Sequence, residues 1–598
     1  MTAPEKMFPS GNQPPSDYDR PADFKALVCD KDVQVAMRDG VNLAVDIYRP
    51  DAPGPFPVLL AFGVHSKEFQ GDEYPKTFPP QPSWSSLWMG HMEAGDTEYF
   101  VTRGYIHVVA QPRGWLKSGD GGSREWDSFD LIEWIAKQPW CADGNVGMIG
   151  IGAFASEQYH AARQQPPHLK AIFPYDPRGA YGVLGGFREE YPGGLIHSFR
   201  YVGDHVSTMH TARGAPGPLS PEREENWRLA LQNPDYKMYP FIHNVLVQKG
   251  QTFPRFFDTL IDPYDSEDVV KKAEDDFEKI NVPTHTGAAW YGYTYKTHLC
   301  GAQTYFQKIK APKRLTLNGP AHLDRPLRAL RGDMLRWYDH WLRDVDTGVM
   351  EEPPVRYFVS GANEWRSGQD WPLPETQWTK LYLNSWERLT AEPFKSSSVD
   401  DYIPPDLFVQ MPPTQTNRIE KLRFLSDPLP HDVLIAGPSV LNLFASIDQD
   451  DTNWIISLRD VGPDPHVRTA REGEREIRAD LPSRELTRGW LKASHRALDP
   501  SRSKPWKPWH RLTREAQRPV VPGEISEYNI ELLSTANLFR RGHRICIEIA
   551  CLDLGSGVLG ATNVEYIPYH LCRSTPVLHR IYHDPKHPSH VLLPVIPT

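Results

Sequence analysis

The first half of the chain carries several uninterrupted apolar runs, each followed by a segment with helical spacing. Pro57-Val58-Leu59-Leu60-Ala61-Phe62, Tyr105-Ile106-His107-Val108-Val109-Ala110, Val146-Gly147-Met148-Ile149 and Leu169-Lys170-Ala171-Ile172-Phe173-Pro174 have little or no polar alternation. Strands of this kind are buried on both faces, which requires a mostly parallel sheet covered by helices. The intervening segment 126–138 places apolar residues at 129, 131, 132, 134 and 135, with Asp127 as a cap, and reads as one such helix. A second helix is expected over 154–165. A hairpin around Asp39-Gly40 (residues 33–49) precedes the sheet.

Residues 186–278 break this rhythm. They are rich in Arg, Glu, Tyr and Pro, with helical stretches at 222–232 and 265–279, and read as a helical cap inserted between sheet strands. The α/β pattern resumes at 282–290 and 313–319, and an amphipathic helix over 327–343 closes it. From 354 onward short alternating runs separated by Pro and Gly predict a β-sandwich of jelly-roll type, with Val355–Val359 as one of its strands. The expected division is a loose arm (1–25), an α/β domain (26–185 and 279–350), the cap (186–278) and the sandwich (351–598).

Composition excludes some functions. A net charge of −10 leaves no basic surplus to neutralise phosphates, so no nucleic-acid partner is expected. No stretch of 18 apolar residues exists, the N-terminal segment has no apolar signal core, and six scattered cysteines lack zinc spacing. A cytoplasmic protein without metal or organic cofactor, acting on a small molecule, is the expectation. A homodimer is left open.

The chemistry turns on Gly147–His160, GMIGIGAFASEQYH. A strand that turns sharply into a helix is where a nucleophile elbow, G-x-S-x-G, places its serine. The middle position here is Gly152, which has no side chain. The remaining motifs, "MRDGVNLAVDIYRP", "CADGNVGMIG", "QQPPHLKAIFPYD", "RWYDHWLR", "PPVRYFVSGANEWR", "LTRGWLKASHRALDP" and "FRRGHRICIEIA", resemble the cocaine esterase / X-prolyl dipeptidyl-peptidase-like family, CocE/NonD. The resemblance implies an α/β-hydrolase sheet with a helical cap and a C-terminal jelly roll.

It also implies a Ser–His–Asp triad with an oxyanion hole made by a Tyr hydroxyl and a backbone N–H. Carried over, the serine falls at Gly152 and the acid at Gly292. The Tyr falls at His65, the backbone N–H at Ala153 and the histidine at His322. Trp290, Tyr291, Tyr293 and Tyr295 form an aromatic run at the acid position and are expected to line the pocket. Asp176 is the nearest alternative acid by topology. Ser66, Ser156 and Cys300 are candidate relocated nucleophiles, each with the plainer reading of a packed or inert residue, and Arg113 reads as structural.

Gly152 cannot form an acyl-enzyme, and loss of a triad member costs about 10⁴–10⁶ in rate. The chain is therefore expected to be a repurposed enzyme that performs cyclisation, isomerisation or elimination on a hydrophobic metabolite, a step of secondary metabolism, through His322 and His65. Two alternatives stand beside it. One is a hydrolase that activates water directly or uses a relocated nucleophile, and the other is a non-catalytic ligand-binding protein.

Overall fold

The computed structural model describes residues 18–70, 93–177, 183–184, 187–188, 191–198, 218–251, 253–290, 293–318, 326–395, 403–416, 418–462, 482–553 and 568–597. Two large sheets organise them.

The first contains β1 (Leu27–Ala36), β2 (Asn42–Pro50), β3 (Phe56–Phe62), β4 (Ile106–Ala110), β5 (Cys141–Ile151) and β6 (Leu169–Tyr175). Two-residue strands β7 (Val183–Leu184) and β8 (Phe187–Arg188) pair with each other, and β9 (Thr284–Ala289), β10 (Lys313–Asn318), β11 (Val355–Val359) and β12 (Glu364–Gly368) complete the ten strands of the first sheet. Their order is β1-β2-β4-β3-β5-β6-β9-β10-β11-β12, parallel from β4 to β11. Helices cover both faces. α1 (Thr97–Val101) lies on one, and α2 (Asp127–Ala136) and α3 (Ala153–Arg163) pack on the other. Fully buried strands flanked this way explain the unbroken apolar runs.

The inserted helices are α4 (Pro221–Gln232), α5 (Pro234–Lys237), α6 (Pro240–Val247), α7 (Pro254–Ile261) and α8 (Glu267–Phe277). The apolar faces of α4 to α7 form one cluster that includes Ile242, Phe256 and Leu260 and reaches Leu512 and Leu571 in loops between strands of the second sheet. α9 (Tyr293–Lys308) and α10 (Pro326–Arg343) complete the helices around the first sheet.

Three expectations are corrected. Val355–Val359 is not a sandwich strand but β11, lying parallel to β10 with Leu315 opposite Val355. α10 supplies the crossover that a parallel neighbour requires. Tyr293 and Tyr295 of the expected aromatic run lie in the first turn of a 16-residue helix, α9. Residues 18–20 of the expected loose arm are tied down. Tyr18 donates to Asp339 at 2.7 Å and Arg20 at 2.8 Å, with Tyr105 a third donor at 2.7 Å. Asp339 is fully buried, and a carboxylate in that position must be paired.

The second sheet is all-β. It comprises β13 (Gln377–Asn384), β14 (Arg388–Thr390), β15 (Asp406–Gln410), β16 (Lys421–Ser426), β17 (Val433–Ile447) and β18 (Asn453–Val461). β19 (Ser483–Lys492), β20 (Ser526–Phe539), β21 (Arg544–Ala550), β22 (Val577–Tyr582) and β23 (His590–Ile596) follow. β23 pairs with both β13 and β17, so the sheet closes on itself around a core that includes Leu441, Trp454, Ile530 and Ile547. Closure leaves few free edges, the usual solution for so many short strands. Among the described residues, no helix is long and apolar enough to cross a membrane, and no group of three or more His, Cys, Asp or Glu is placed to hold a metal ion.

Candidate active site

β4 and β5 flank β3 on opposite sides, so the chain reverses its direction of sheet growth at β3. In open α/β sheets a crevice forms outside the carboxyl ends of the strands at such a point. At this point the loop after β3 carries His65 and the turn after β5 carries Gly152, both at the carboxyl ends of these adjacent parallel strands.

Gly152 joins β5 to α3 with φ 57° and ψ −115°. This is the sharp strand-to-helix turn of a nucleophile elbow, in a region that side chains enter only under strain. The turn is tightly held. Gly152 N–H donates to Tyr175 O at 3.0 Å, and Ser156 N–H returns to Gly152 O at 3.0 Å. Beneath it the fully buried Phe154 ring wedges between strand ends, and a Cβ on Gly63 would sit 2.8 Å from that ring and one on Gly150 2.5 Å from Phe154 Cβ. The elbow therefore keeps its backbone form while presenting no hydroxyl. Ala153 opens α3, so its N–H has no intrahelical acceptor and is available at the helix N-terminus.

His65 keeps 23% of its side chain exposed, and its Nε2 lies 3.8 Å from a Glu93 carboxylate oxygen. The loop that carries it is anchored by Lys67. The buried Lys67 ammonium contacts Asp32 at 2.8 Å, Asp46 at 3.0 Å and Glu68 at 3.0 Å. Burial opposes its charge, but these three carboxylates outweigh burial and hold Lys67 above the ordinary lysine range. The Glu93 pairing escaped the sequence reading. A carboxylate in the polar stretch His91-Met92-Glu93-Ala94-Gly95-Asp96 gives no periodic signal and lies far from His65 along the chain.

The other candidates separate clearly. Ser66 is buried, donates to Glu68 and lies 3.3 Å from Gln111 Oε1, so it pins the loop. Ser156 Oγ back-bonds to Gly152 O at 3.1 Å, a helix-internal contact. Cys300 is buried on α9 among Leu195, Ile455, Trp490 and Leu533. Arg113 is held by Asp39 at 2.7 Å and Asp127 at 2.6 Å and is structural. Asp176 follows β6 with φ 50°, fully buried, and accepts the Ala289 N–H at 3.0 Å, which puts a carboxylate between the ends of β6 and β9.

Trp290, expected to line the pocket, is a core residue instead. It is 1% exposed, donates to Phe358 O at 2.7 Å and packs with Trp371 and Leu317. Its indole needed a buried acceptor, and the Phe358 carbonyl within β11 provides one. Tyr291, Gly292 and His322 lie outside the described residues, as do the side chains of Tyr293 and Tyr295.

Residues 39–324 match the X-Pro dipeptidyl-peptidase (S15 family) model, and residues 347–592 match the X-Pro dipeptidyl-peptidase C-terminal non-catalytic domain. The chain is 27% identical to a cocaine esterase of Rhodococcus sp. (strain MB1 Bresler), with 94% of this chain and 98% of the esterase covered. In structure it resembles a CocE/NonD family hydrolase from Staphylococcus aureus, with a TM-score of 0.71, 21% identity and coverage of 96% of this chain and 94% of that one. It also resembles an α-amino acid ester hydrolase, with a TM-score of 0.69, 18% identity and coverage of 99% and 100%.

These relatives are named esterases, peptidases and ester hydrolases, which overturns the expectation of a cyclase, isomerase or lyase of secondary metabolism. That expectation went wrong in a specific way. A glycine at the elbow rules out an acyl-enzyme at that position, but it does not rule out hydrolysis. With both halves matched, the chain belongs to the CocE/NonD, X-Pro dipeptidyl-peptidase-like family of enzymes, an α/β-hydrolase domain joined to an all-β C-terminal domain.

Proposed function

We propose that the protein hydrolyses a carboxylic ester, attacking the acyl carbon with water in place of a chain hydroxyl. The observation that carries this reading is the intact elbow at Gly152, which lacks a hydroxymethyl group, with His65 beside Glu93, whose backbone carbonyl accepts the N–H of Ile151 at the elbow. The family's reaction supports the bond type, and the glycine restricts the route.

In this mechanism His65 accepts a proton from water as the new oxygen–carbon bond forms. The carbonyl oxygen becomes an oxyanion that receives the Ala153 N–H at the N-terminus of α3. When the intermediate collapses, the carbon–oxygen bond to the leaving group breaks and His65 returns the proton to the departing alcohol. One imidazole thus serves as base and then acid, and no acyl-enzyme forms. Esters suit this route better than amides. An amine leaves only when protonated, and without a covalent intermediate both difficult events fall in one step.

Hydrolysis of p-nitrophenyl butyrate in the presence of a fluorophosphonate probe tests the reading. Steady release of p-nitrophenol without a stoichiometric burst, from protein that the probe leaves unlabelled, is expected. Labelling at any serine, or a burst of one equivalent, would replace water attack with a covalent route. Absence of hydrolysis across a panel of aryl and alkyl esters would leave only ligand binding.

A further inference from the structure

We infer that Glu93 is the positioning carboxylate of His65, taking from a different element the part that an aspartate plays in an ordinary triad. The inference rests on the hydrolytic reading for its consequence, but its geometry stands apart from it.

Glu93 is built into the elbow. Its backbone carbonyl accepts the Ile151 N–H at 2.9 Å, one residue before Gly152. A Cβ at Gly150 would come within 2.9 Å of the same carbonyl, so Gly150 lets the two segments touch. Its N–H and that of Ala94 both donate to Gln70 Oε1, at 2.7 and 3.1 Å, and the Gln70 side chain is fully buried. Gln70 belongs to the short helix Lys67–Gln70 that follows His65. One loop therefore carries the imidazole and clamps the segment bearing its carboxylate.

The neighbouring acids face Lys67. Glu68 is bound by Ser66 and Lys67, and Asp32 and Asp46 are bound by Lys67. Glu93 is the carboxylate that the structure sets against His65, at 3.8 Å with 14% of its side chain exposed.

The consequence is a choice of nitrogen. A carboxylate beside Nε2 keeps the proton there and leaves Nδ1 as the basic atom, since the partner of one ring nitrogen fixes the role of the other. The contact tightens to a hydrogen bond as positive charge grows on the ring, the usual behaviour of catalytic pairs that are loose without substrate. This orientation is reversed relative to a Ser–His–Asp triad, where the acid holds Nδ1.

Glu93→Gln and Glu93→Asp, beside His65→Ala, test the assignment with p-nitrophenyl butyrate as substrate and ¹⁵N-histidine NMR as a second readout. The His65 signals are assigned by their disappearance in His65→Ala. Glu93→Gln is expected to lower kcat by about 10²–10⁴-fold with KM little changed, because a misoriented base fails in the transition state rather than in binding. Glu93→Asp is expected to recover part of that loss. The spectra should show His65 protonated at Nε2 in the parent and a mixture of tautomers in Glu93→Gln. A Glu93→Gln protein with full kcat, or an unchanged tautomer, would overturn the role of Glu93. Full activity in His65→Ala would overturn His65 as the base, and absence of hydrolysis in the parent would overturn the hydrolytic reading, while the parent and Glu93→Gln tautomer spectra would still report on the pair. Should Glu93→Gln fail to fold, the Glu93→Asp spectrum and its kcat-against-KM split carry the same decision.

Discussion

Of the imidazole–carboxylate pairs among the described residues, two stand at instructively different depths. At the elbow, His65 and Glu93 are 3.8 Å apart and both retain some exposure. Between the inserted segment and the all-β sheet, His570 and Asp553 meet at 2.8 Å, and their side chains are 0% and 5% exposed. Asp553 also accepts the His570 backbone N–H at 3.0 Å, and Arg488 lies 3.8 Å away. Residues on either side join the elements. Leu571 N–H donates to Ile196 O and Ser198 N–H to Tyr569 O, both at 2.8 Å. The tighter pair is thus a weld between chain segments, whereas the looser pair is partly exposed and has room to move a proton. Proximity alone would rank them the wrong way round for chemistry, and access decides.

The comparison breaks most sharply at the two histidines. His65→Ala should reduce p-nitrophenyl butyrate hydrolysis by about 10²–10⁴-fold, the range for removal of a general base, while leaving the thermal midpoint nearly unchanged. His570→Ala should do the opposite. Breaking one side of a buried pair costs about 3–5 kcal/mol, so its urea midpoint falls steeply while kcat/KM of the folded fraction is retained. Equal effects of both substitutions on both readouts would erase the distinction.

Acid sharpens it from the stability side. Burial pushes the Asp553 carboxyl up, but the charge and hydrogen bonds of His570, aided by Arg488, outweigh burial and hold it below the usual carboxylate range. A depressed native value stabilises fully above the unfolded carboxyl's value of about 4, and that contribution disappears as pH falls through the native value. Urea midpoints should therefore drop below about pH 4, and Asp553→Asn should flatten that part of the profile. A wild-type profile level from pH 6 down to 3 would contradict this.

The packing under the elbow sets the next effect. Gly63→Ala would drive a methyl group to 2.8 Å from the Phe154 ring, which cannot retreat from its buried site. Overpacking of this kind costs about 1–3 kcal/mol. If the ring turns away, the elbow moves with it and hydrolysis falls together with stability. Loss of stability without loss of rate would show that the turn is held by its hydrogen bonds alone.

These regions also differed in how plainly the sequence announced them. Strands β3 to β6 were legible because burial on both faces removes polar residues altogether, and the Gly150–Gly152 pair marked the elbow. α9 was not, because Tyr293-Thr294-Tyr295 opens it with residues that favour strands, and tertiary packing of Leu299, Ala302 and Phe306 overrides that preference. β11 was assigned to the wrong sheet because an apolar run states that a strand is buried without naming its neighbour. Of the site, Gly152 and His65 could be placed by motif and resemblance. Glu93 could not, since its carboxylate reaches His65 through a clamp at Gln70 that only the folded chain assembles.

The smallest expected effect tests whether the aromatic residue after β9 belongs to the site at all. Trp290→Phe keeps a large ring but deletes the N–H that donates to Phe358 O at 2.7 Å. A lost buried hydrogen bond of this kind costs about 1–3 kcal/mol when its acceptor is left unpaired. The thermal midpoint should fall modestly, and KM for p-nitrophenyl butyrate should not change, because the indole is enclosed by Leu317, Phe358 and Trp371 rather than by the crevice. A rise in KM with the midpoint unmoved would return Trp290 to the pocket and place the substrate's acyl group against the end of β9.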